Sequence, residues 1–311
     1  MRILTVGAGA VGGFFGARLV RAGADVTFLV RPQRAAALRE RGLRVTGPGE
    51  EISLEPQLVT ADAPMGTYDL VLLSVKSTAL EQAAKDLAPA VGPGTAIVPL
   101  LNGMAHLDFL DGHFGGAAVL GGVAKVVTTL DGNGDIVRMA PPSVVLTGER
   151  DGTPSGRVDA VRELLTAAGI DSPPTPDIVA AMWHKWVFIT TLAATTCLLR
   201  GSVGEVNAVP GGAELARAVL AEAAAVAAAS GHPVPQAELD VTTRTVTAEG
   251  SPLTPSMYRD VLAGQPTEVE HVLGDLVARA RALAVPTPLL DLATLHLRVH
   301  QQRVAGSRAG R

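Results

Sequence analysis

Short apolar runs and amphipathic stretches alternate through the first half of the chain. Residues 2–6, Arg-Ile-Leu-Thr-Val, are too short and too apolar for a surface helix and predict a buried strand. From Val11 the apolar positions recur at helical spacing, through Phe14, Phe15, Leu19 and Val20, until Gly23 stops the helix. Residues 25–30 predict a second strand, 33–41 a short helix, and the polar section up to Thr60 further β-structure. Residues 69–75 are apolar almost throughout and end at Lys76, the pattern of an internal parallel strand. An amphipathic helix over 78–87, with Thr78 as its cap, leads to a buried strand over 95–101 that ends at Asn102-Gly103. Two later strands, 116–129 and 136–148, flank an Asp-Gly-Asn-Gly turn at 131–134, and 156–168 predicts a helix. Alternation of this kind implies a doubly wound α/β domain.

The pattern changes at 171–176, Asp-Ser-Pro-Pro-Thr-Pro, which reads as a linker. Beyond it strand signals nearly vanish. Helices are predicted over 178–200, 212–230, 235–248, 266–284 and 288–302, with a frayed end from Arg303. The expected organisation is a Rossmann-type doubly wound domain over 1–172 and an all-α domain over 177–311.

The first strand runs into Gly7-Ala8-Gly9-Ala10-Val11-Gly12 and then directly into the first helix. In a strand–turn–helix–strand unit these glycines have separate duties. Gly7 permits the turn, Gly9 lets backbone N–H groups approach a pyrophosphate, and Gly12 lets helix and sheet pack closely. The diphosphate then sits at a positive helix N-terminus. An NAD-preferring chain carries Asp or Glu at the end of the second strand to bind the ribose 2′-hydroxyl. This chain has no carboxylate there. Arg31 stands 19 residues beyond Gly12, where a 2′-phosphate would lie, and Arg34 follows one turn later. Either arginine could be a solvated residue at a helix start. The missing acid together with the present guanidinium favours NADP(H) over NAD(H).

Composition narrows the remaining classes. A net charge of −4 gives no electrostatic case for nucleic acid or an anionic membrane. The single cysteine, Cys197, excludes an internal disulfide and a cysteine-based metal cluster, so no metal is expected and the compartment reads as reducing cytoplasm. Residues 178–199 are apolar and long enough to span a membrane, but His184, Lys185 and several threonines fit a buried helix better.

Ligands of a doubly wound sheet bind outside the carboxyl ends of its strands. Lys76 and Asn102 stand at two such ends, although either could be a solvated strand terminus. Lys185 is more unusual, because its helical neighbours Ile189 and Leu192 are apolar. It must either snorkel to the surface or face an internal cavity. Trp183 and Trp186 beside it read as core anchors. Glu268, two residues after Pro266, is placed in the first turn of a helix, where by itself it would only complement the dipole.

The motifs GAGAVGG, SVKS, LLNGM, MWHKWVF, SMYRDVLAGQPTE and VPTPLLD, in this order, resemble the ketopantoate reductases (2-dehydropantoate 2-reductases) nearly end to end. The resemblance implies NADPH binding by the turn 7–12 and Arg31, with Lys76 beside the cofactor. It implies that Asn102 stands at the nicotinamide–substrate junction and that Lys185 is the proton donor. It further implies that Ser256 contacts substrate and that Glu268 lies at the cofactor–substrate boundary. Three positions depart from the family pattern. Ile189 and Ala193 stand where the family's asparagines hold the polar substrate, and Leu273 stands where a further asparagine is often found. A pocket without those amides loses a strong means of recognising hydroxyls.

The expected reaction is NADPH-dependent reduction of a 2-oxo acid or related ketone, as for ketopantoate in pantothenate biosynthesis. A more hydrophobic ketone is the alternative within the family. A non-catalytic NADP(H) sensor is the alternative outside it. Such a sensor would keep the glycine turn and Arg31 without needing Lys185, Asn102 and Glu268. The partner is a small keto compound, and the sequence leaves a homodimer open.

Overall fold

The computed structural model describes residues 1–63 and 65–309, which divide into two compact units. The first comprises Met1–Leu101 and His106–Val179. Its elements run β1 (Arg2–Val6), α1 (Ala10–Arg21), β2 (Asp25–Leu29), α2 (Pro32–Arg41), β3 (Leu43–Gly47), β4 (Glu50–Leu54) and β5 (Gln57–Val59). They continue with β6 (Leu70–Leu73), α3 (Leu80–Leu87), β7 (Ala96–Pro99), α4 (Ala105–Phe114), β8 (Gly121–Leu130), β9 (Ile136–Gly148) and α5 (Gly156–Ala167). A parallel sheet in the order β5-β2-β1-β6-β7 forms the centre. Val6 at the end of β1 pairs with Leu29 on one side and Leu73 on the other. The strand order therefore reverses at β1, and the residues that follow β1 stand at the switch point where such sheets bind ligands. Ile3, Phe14, Phe15, Phe28, Leu70 and Leu72 fill the core against this sheet.

The runs at 116–129 and 136–148 do not extend the parallel sheet. β8 and β9 pair antiparallel and, with β3 and β4, make a second sheet in the order β4-β3-β9-β8. The connecting turn decides this, because two strands joined by so few residues can only fold back on one another. Asp131 Oδ1 accepts the N–H groups of Asn133 and Asp135 and closes that turn. Glu50 on β4 ties the second sheet to α1. Its buried carboxylate meets Arg18, Arg21 and Arg138, while Arg18 also donates to Ser143 Oγ and the Gly169 carbonyl. Thr78 does not cap α3. A 3₁₀ turn over Ser77–Ala79 precedes that helix, and Ala79 holds the cap position.

The second unit comprises Asn102–Ala105 and the chain from Ala180 onward. Beyond α6 (Ile178–Leu199) come α7 (Val203–Asn207), α8 (Gly212–Ala229), α9 (Gln236–Val246), α10 (Ser256–Leu262), a π-helical turn (Glu270–Gly274), α11 (Asp275–Ala282) and α12 (Pro288–Ala309). α6 is long and apolar enough to cross a membrane by length and composition. Trp183, Trp186, Val187, Ala194 and Cys197 along it are buried, as in the central helix of a folded unit. Residues beyond Arg303 stay helical to Ala309, and Gly310 and Arg311 lie outside the described residues. The four-residue piece Asn102–Ala105 clusters with these helices, so Asn102 belongs with the helical side chains.

Candidate active site

The turn after β1 separates the three glycines by geometry. Gly7 has φ +93°, a left-handed conformation that side chains rarely adopt. A Cβ at Gly9 would meet no atom within 4 Å, so its surface is open. A Cβ at Gly12 would overlap Ser74 Oγ and the Gly7 carbonyl oxygen. Gly9 caps α1 without a side-chain hydrogen bond, and the first turn of α1 holds no acid. The N–H groups there, with the positive end of the helix, are available to an anion. Ala8 is buried, and Ala10 and Val11 are half-buried.

Two residues that the sequence alone did not mark as part of this turn brace it. Ser74 Oγ donates to the carbonyls of Val6 and Gly7 at 3.1 and 3.2 Å. Arg34 is bound inward, with Nε on the Ala8 carbonyl at 3.2 Å and Nη2 on the Gly134 carbonyl at 3.0 Å. Burial lowers its pKa, opposed by Asp135. Arg31 is exposed at the N-cap of α2. The structure thus gives the two arginines different work, one bracing the turn and the other facing solvent beyond β2. Lys76 is exposed at the head of the 3₁₀ turn after β6.

In the helical unit the site is assembled around the segment 267–274. Glu268 is not in a first helical turn as expected. It lies one residue before Val269, where helix begins, and its carbonyl accepts the N–H groups of His271 at 3.1 Å and Val272 at 3.0 Å. The π turn that follows widens the backbone, and the carbonyl of Val272 is taken up from α6. Trp186 Nε1 donates to it at 2.8 Å and Thr190 Oγ1 at 3.5 Å. Trp186 is therefore more than a core anchor, since it fixes Lys185, its neighbour in sequence, to the turn that follows Glu268. π turns of this kind recur at functional sites.

Asn102 reaches the same turn. Gly103 has φ +78°, and a Cβ there would come within 2.6 Å of the His271 carbonyl oxygen and 3.2 Å of its ring Cδ2. The His271 ring makes a hydrogen bond with the Asn102 backbone. That bond, Glu268 and Asp275 act to raise its pKa, but burial outweighs them and holds the ring below the ordinary histidine value. His271 was not singled out in the sequence. Its only signal there is its place three residues after Glu268, on the same turn.

Along α6, Ala181, His184, Lys185, Phe188 and Ile189 are all half-buried and share one stripe, while Met182, Trp183, Trp186, Val187 and Thr190 between them are buried. Lys185 thus stands on a half-buried stripe with His184 and apolar Phe188 and Ile189. Ala193 and Leu273, at the other two departures from the expected asparagines, are 2% and 0% exposed. Ser256 is exposed as the first residue of α10. That helix is joined to the end of α6 by Tyr258 Oη, which donates to the Arg200 carbonyl at 2.9 Å.

The family model described as "Ketopantoate reductase PanE/ApbA" matches residues 3–152, and its C-terminal counterpart matches 177–301. An uncharacterized oxidoreductase of Bacillus subtilis, YkpB, is 32% identical over 301 residues, covering 97% of this chain and 99% of that one. A 2-dehydropantoate 2-reductase of Archaeoglobus fulgidus is 32% identical over 285 residues, covering 91% and 92%. The crystal structure of a 2-dehydropantoate 2-reductase from Geobacter metallireducens superposes with a TM-score of 0.88 at 27% identity, covering 96% of this chain and 99% of that one.

Proposed function

This chain belongs to the ketopantoate reductase family and is an oxidoreductase acting on CH-OH groups, and on that premise we propose that it reduces a 2-oxo acid with an apolar side chain to the 2-hydroxy acid at the expense of NADPH, as a cytoplasmic enzyme. The observation that carries the reading is Lys185 on a half-buried stripe of α6 with His184, Phe188 and Ile189, in the helix that Trp186 ties to the turn after Glu268, which the Asn102–Gly103 segment also touches.

The first unit fits the cofactor. Gly9 leaves an open surface, and the N–H groups at Gly9, Ala10, Val11 and Gly12 would hold the diphosphate at the uncapped start of α1. Exposed Arg31 would pair with the 2′-phosphate, and Lys76 would add a second cation nearby. When bound, the nicotinamide supplies a hydride to the carbonyl carbon of the substrate.

The helical unit would handle the substrate. Negative charge grows on the carbonyl oxygen as its carbon is reduced. The Lys185 ammonium would stabilise that charge and give the oxygen its proton, which balances the reaction as ketone, hydride and proton to alcohol. Asn102 would orient the carbonyl through its side-chain amide, and Ser256 would donate to the carboxylate. Glu268 would border cofactor and substrate.

Half-buried, apolar Ile189 supports a substrate tail without hydroxyls, whereas Ala193 and Leu273 are packed in the interior. Ketopantoate has one hydroxyl to place and is therefore the weaker substrate in this reading. Comparing kcat/KM for ketopantoate with that for 2-oxo acids bearing branched or aromatic tails tests the point, and a clear preference for ketopantoate would overturn the apolar assignment.

A further inference from the structure

We propose that His271 is a positioning residue: its ring holds the backbone of Asn102 and thereby sets the direction of the Asn102 side-chain amide. This deepens the reductase reading and rests on it.

Three contacts within the helical unit meet at this residue. Its main-chain N–H is bound to the Glu268 carbonyl at 3.1 Å. Its ring hydrogen-bonds the Asn102 backbone. Its carbonyl and ring edge lie so close to Gly103 that a Cβ there would stand 2.6 Å from the carbonyl oxygen, 3.2 Å from Cδ2 and 3.5 Å from Nε2. The next residue is held in turn, since the Val272 carbonyl accepts from Trp186 and Thr190 of α6. One short turn therefore joins the segments carrying Lys185, Glu268 and Asn102.

The chemistry of the ring suits the task. A backbone hydrogen bond that raises a histidine pKa is one in which the ring N–H donates to a carbonyl. Burial outweighs that bond and the carboxylates of Glu268 and Asp275, which favours the neutral ring with one N–H. A neutral donor can fix the Asn102 carbonyl without adding a charge to the turn.

The test has two readouts, one independent of turnover. In ¹H–¹⁵N spectra of the native protein at pH 7, the His271 ring should show the neutral pattern, with one nitrogen protonated. The Asn102 side-chain amide should shift in His271→Phe, which keeps the ring size and loses the donor, and return towards its native position in His271→Gln. In steady-state assays with the best 2-oxo acid, His271→Phe should lower kcat on the order of 10²-fold, the loss expected for a misplaced orienting group. The KM for NADPH should stay near native, and His271→Gln should recover most of the rate. An unmoved Asn102 signal, a native kcat in His271→Phe, or a His271→Gln variant as slow as His271→Phe would overturn the proposal. If His271→Phe does not fold, the native ring decides, and a doubly protonated ring at pH 7 counts against the proposal. Should the native protein reduce no ketone, the reductase reading fails separately, and the Asn102 signal still decides the role of His271.

Discussion

Replacing Gly9 and Gly12 separately by alanine should damage the protein in opposite ways. At Gly9, φ is −86° and an added methyl meets no atom within 4 Å. The fold should tolerate it, and the loss of chain freedom in the unfolded state should stabilise the protein by about 0.4–1 kcal/mol. The methyl does, however, occupy the surface on which a diphosphate would rest. At Gly12 the methyl overlaps Ser74 Oγ and the Gly7 carbonyl oxygen. The hydroxyl can rotate away only by giving up its bonds to Val6 and Gly7, and the carbonyl belongs to a turn with little room to move. Overpacking costs about 1–3 kcal/mol and lost hydrogen bonds about 1 kcal/mol more. At roughly 2–4 °C per kcal/mol for a domain of this size, the midpoint should fall by about 5–15 °C. Thermal melting of both variants, with and without NADPH, and titration of NADPH by its fluorescence read the two effects apart. Gly9→Ala should melt about 1–4 °C above the native protein and bind NADPH at least ~10-fold more weakly, equivalent to about 1.4 kcal/mol. Native affinity in Gly9→Ala, or native melting in Gly12→Ala, would refute the division of labour read from this turn.

Four further outcomes follow from the same structure. Lys185→Ala should lower kcat by about 10²–10⁴-fold, the range for general acid catalysis, while NADPH binding measured by fluorescence stays native. Arg31→Ala should weaken NADPH by about 10–100-fold, as expected when a charged hydrogen bond worth about 1.5–3 kcal/mol is lost, and leave NADH nearly unchanged in parallel assays. Glu50→Ala leaves Arg18 and Arg138 without their shared buried carboxylate and should cost about 3–5 kcal/mol in urea unfolding. Cys197 has its thiol pKa pushed up to about 12, chiefly by burial, so it stays protonated at pH 8. Iodoacetamide should therefore spare it in the native state and label it after unfolding, as mass spectrometry would show.

The part of the fold legible in the sequence is the part encoded by neighbours in the chain. Residues 2–30 announce strand, turn, helix and strand because apolar spacing and glycines act within a few residues, and β1, α1 and β2 form there. The second sheet is different. Its pairing of β3 with β9 joins Val45 to Ile136, and nothing in the local period of either strand names its partner. α4 carries little helical signature in the sequence, because Ala105–Phe114 interleaves His106, Asp108, Asp111 and Gly112 with its apolar residues and so blurs the stripe. The site shows the same limit. Lys185 was visible as a charge in an apolar stretch, and the glycines by their spacing. The bracing of the turn by Arg34 spans 26 residues to Ala8, and His271 reaches back to Asn102 across most of the chain. Both depend on tertiary approach. Glu268 stands just before the helix rather than inside its first turn, because helix begins only at Val269 and the Glu268 carbonyl accepts the first helical bond, from Val272.

The most direct test is the initial rate of NADPH oxidation by the purified protein with ketopantoate and a series of 2-oxo acids of increasing apolar tail. The account predicts turnover that requires Lys185, prefers NADPH over NADH, and rises in kcat/KM with the apolar tail. NADPH binding with no oxidation by any 2-oxo acid, or rates unchanged in Lys185→Ala, would contradict it.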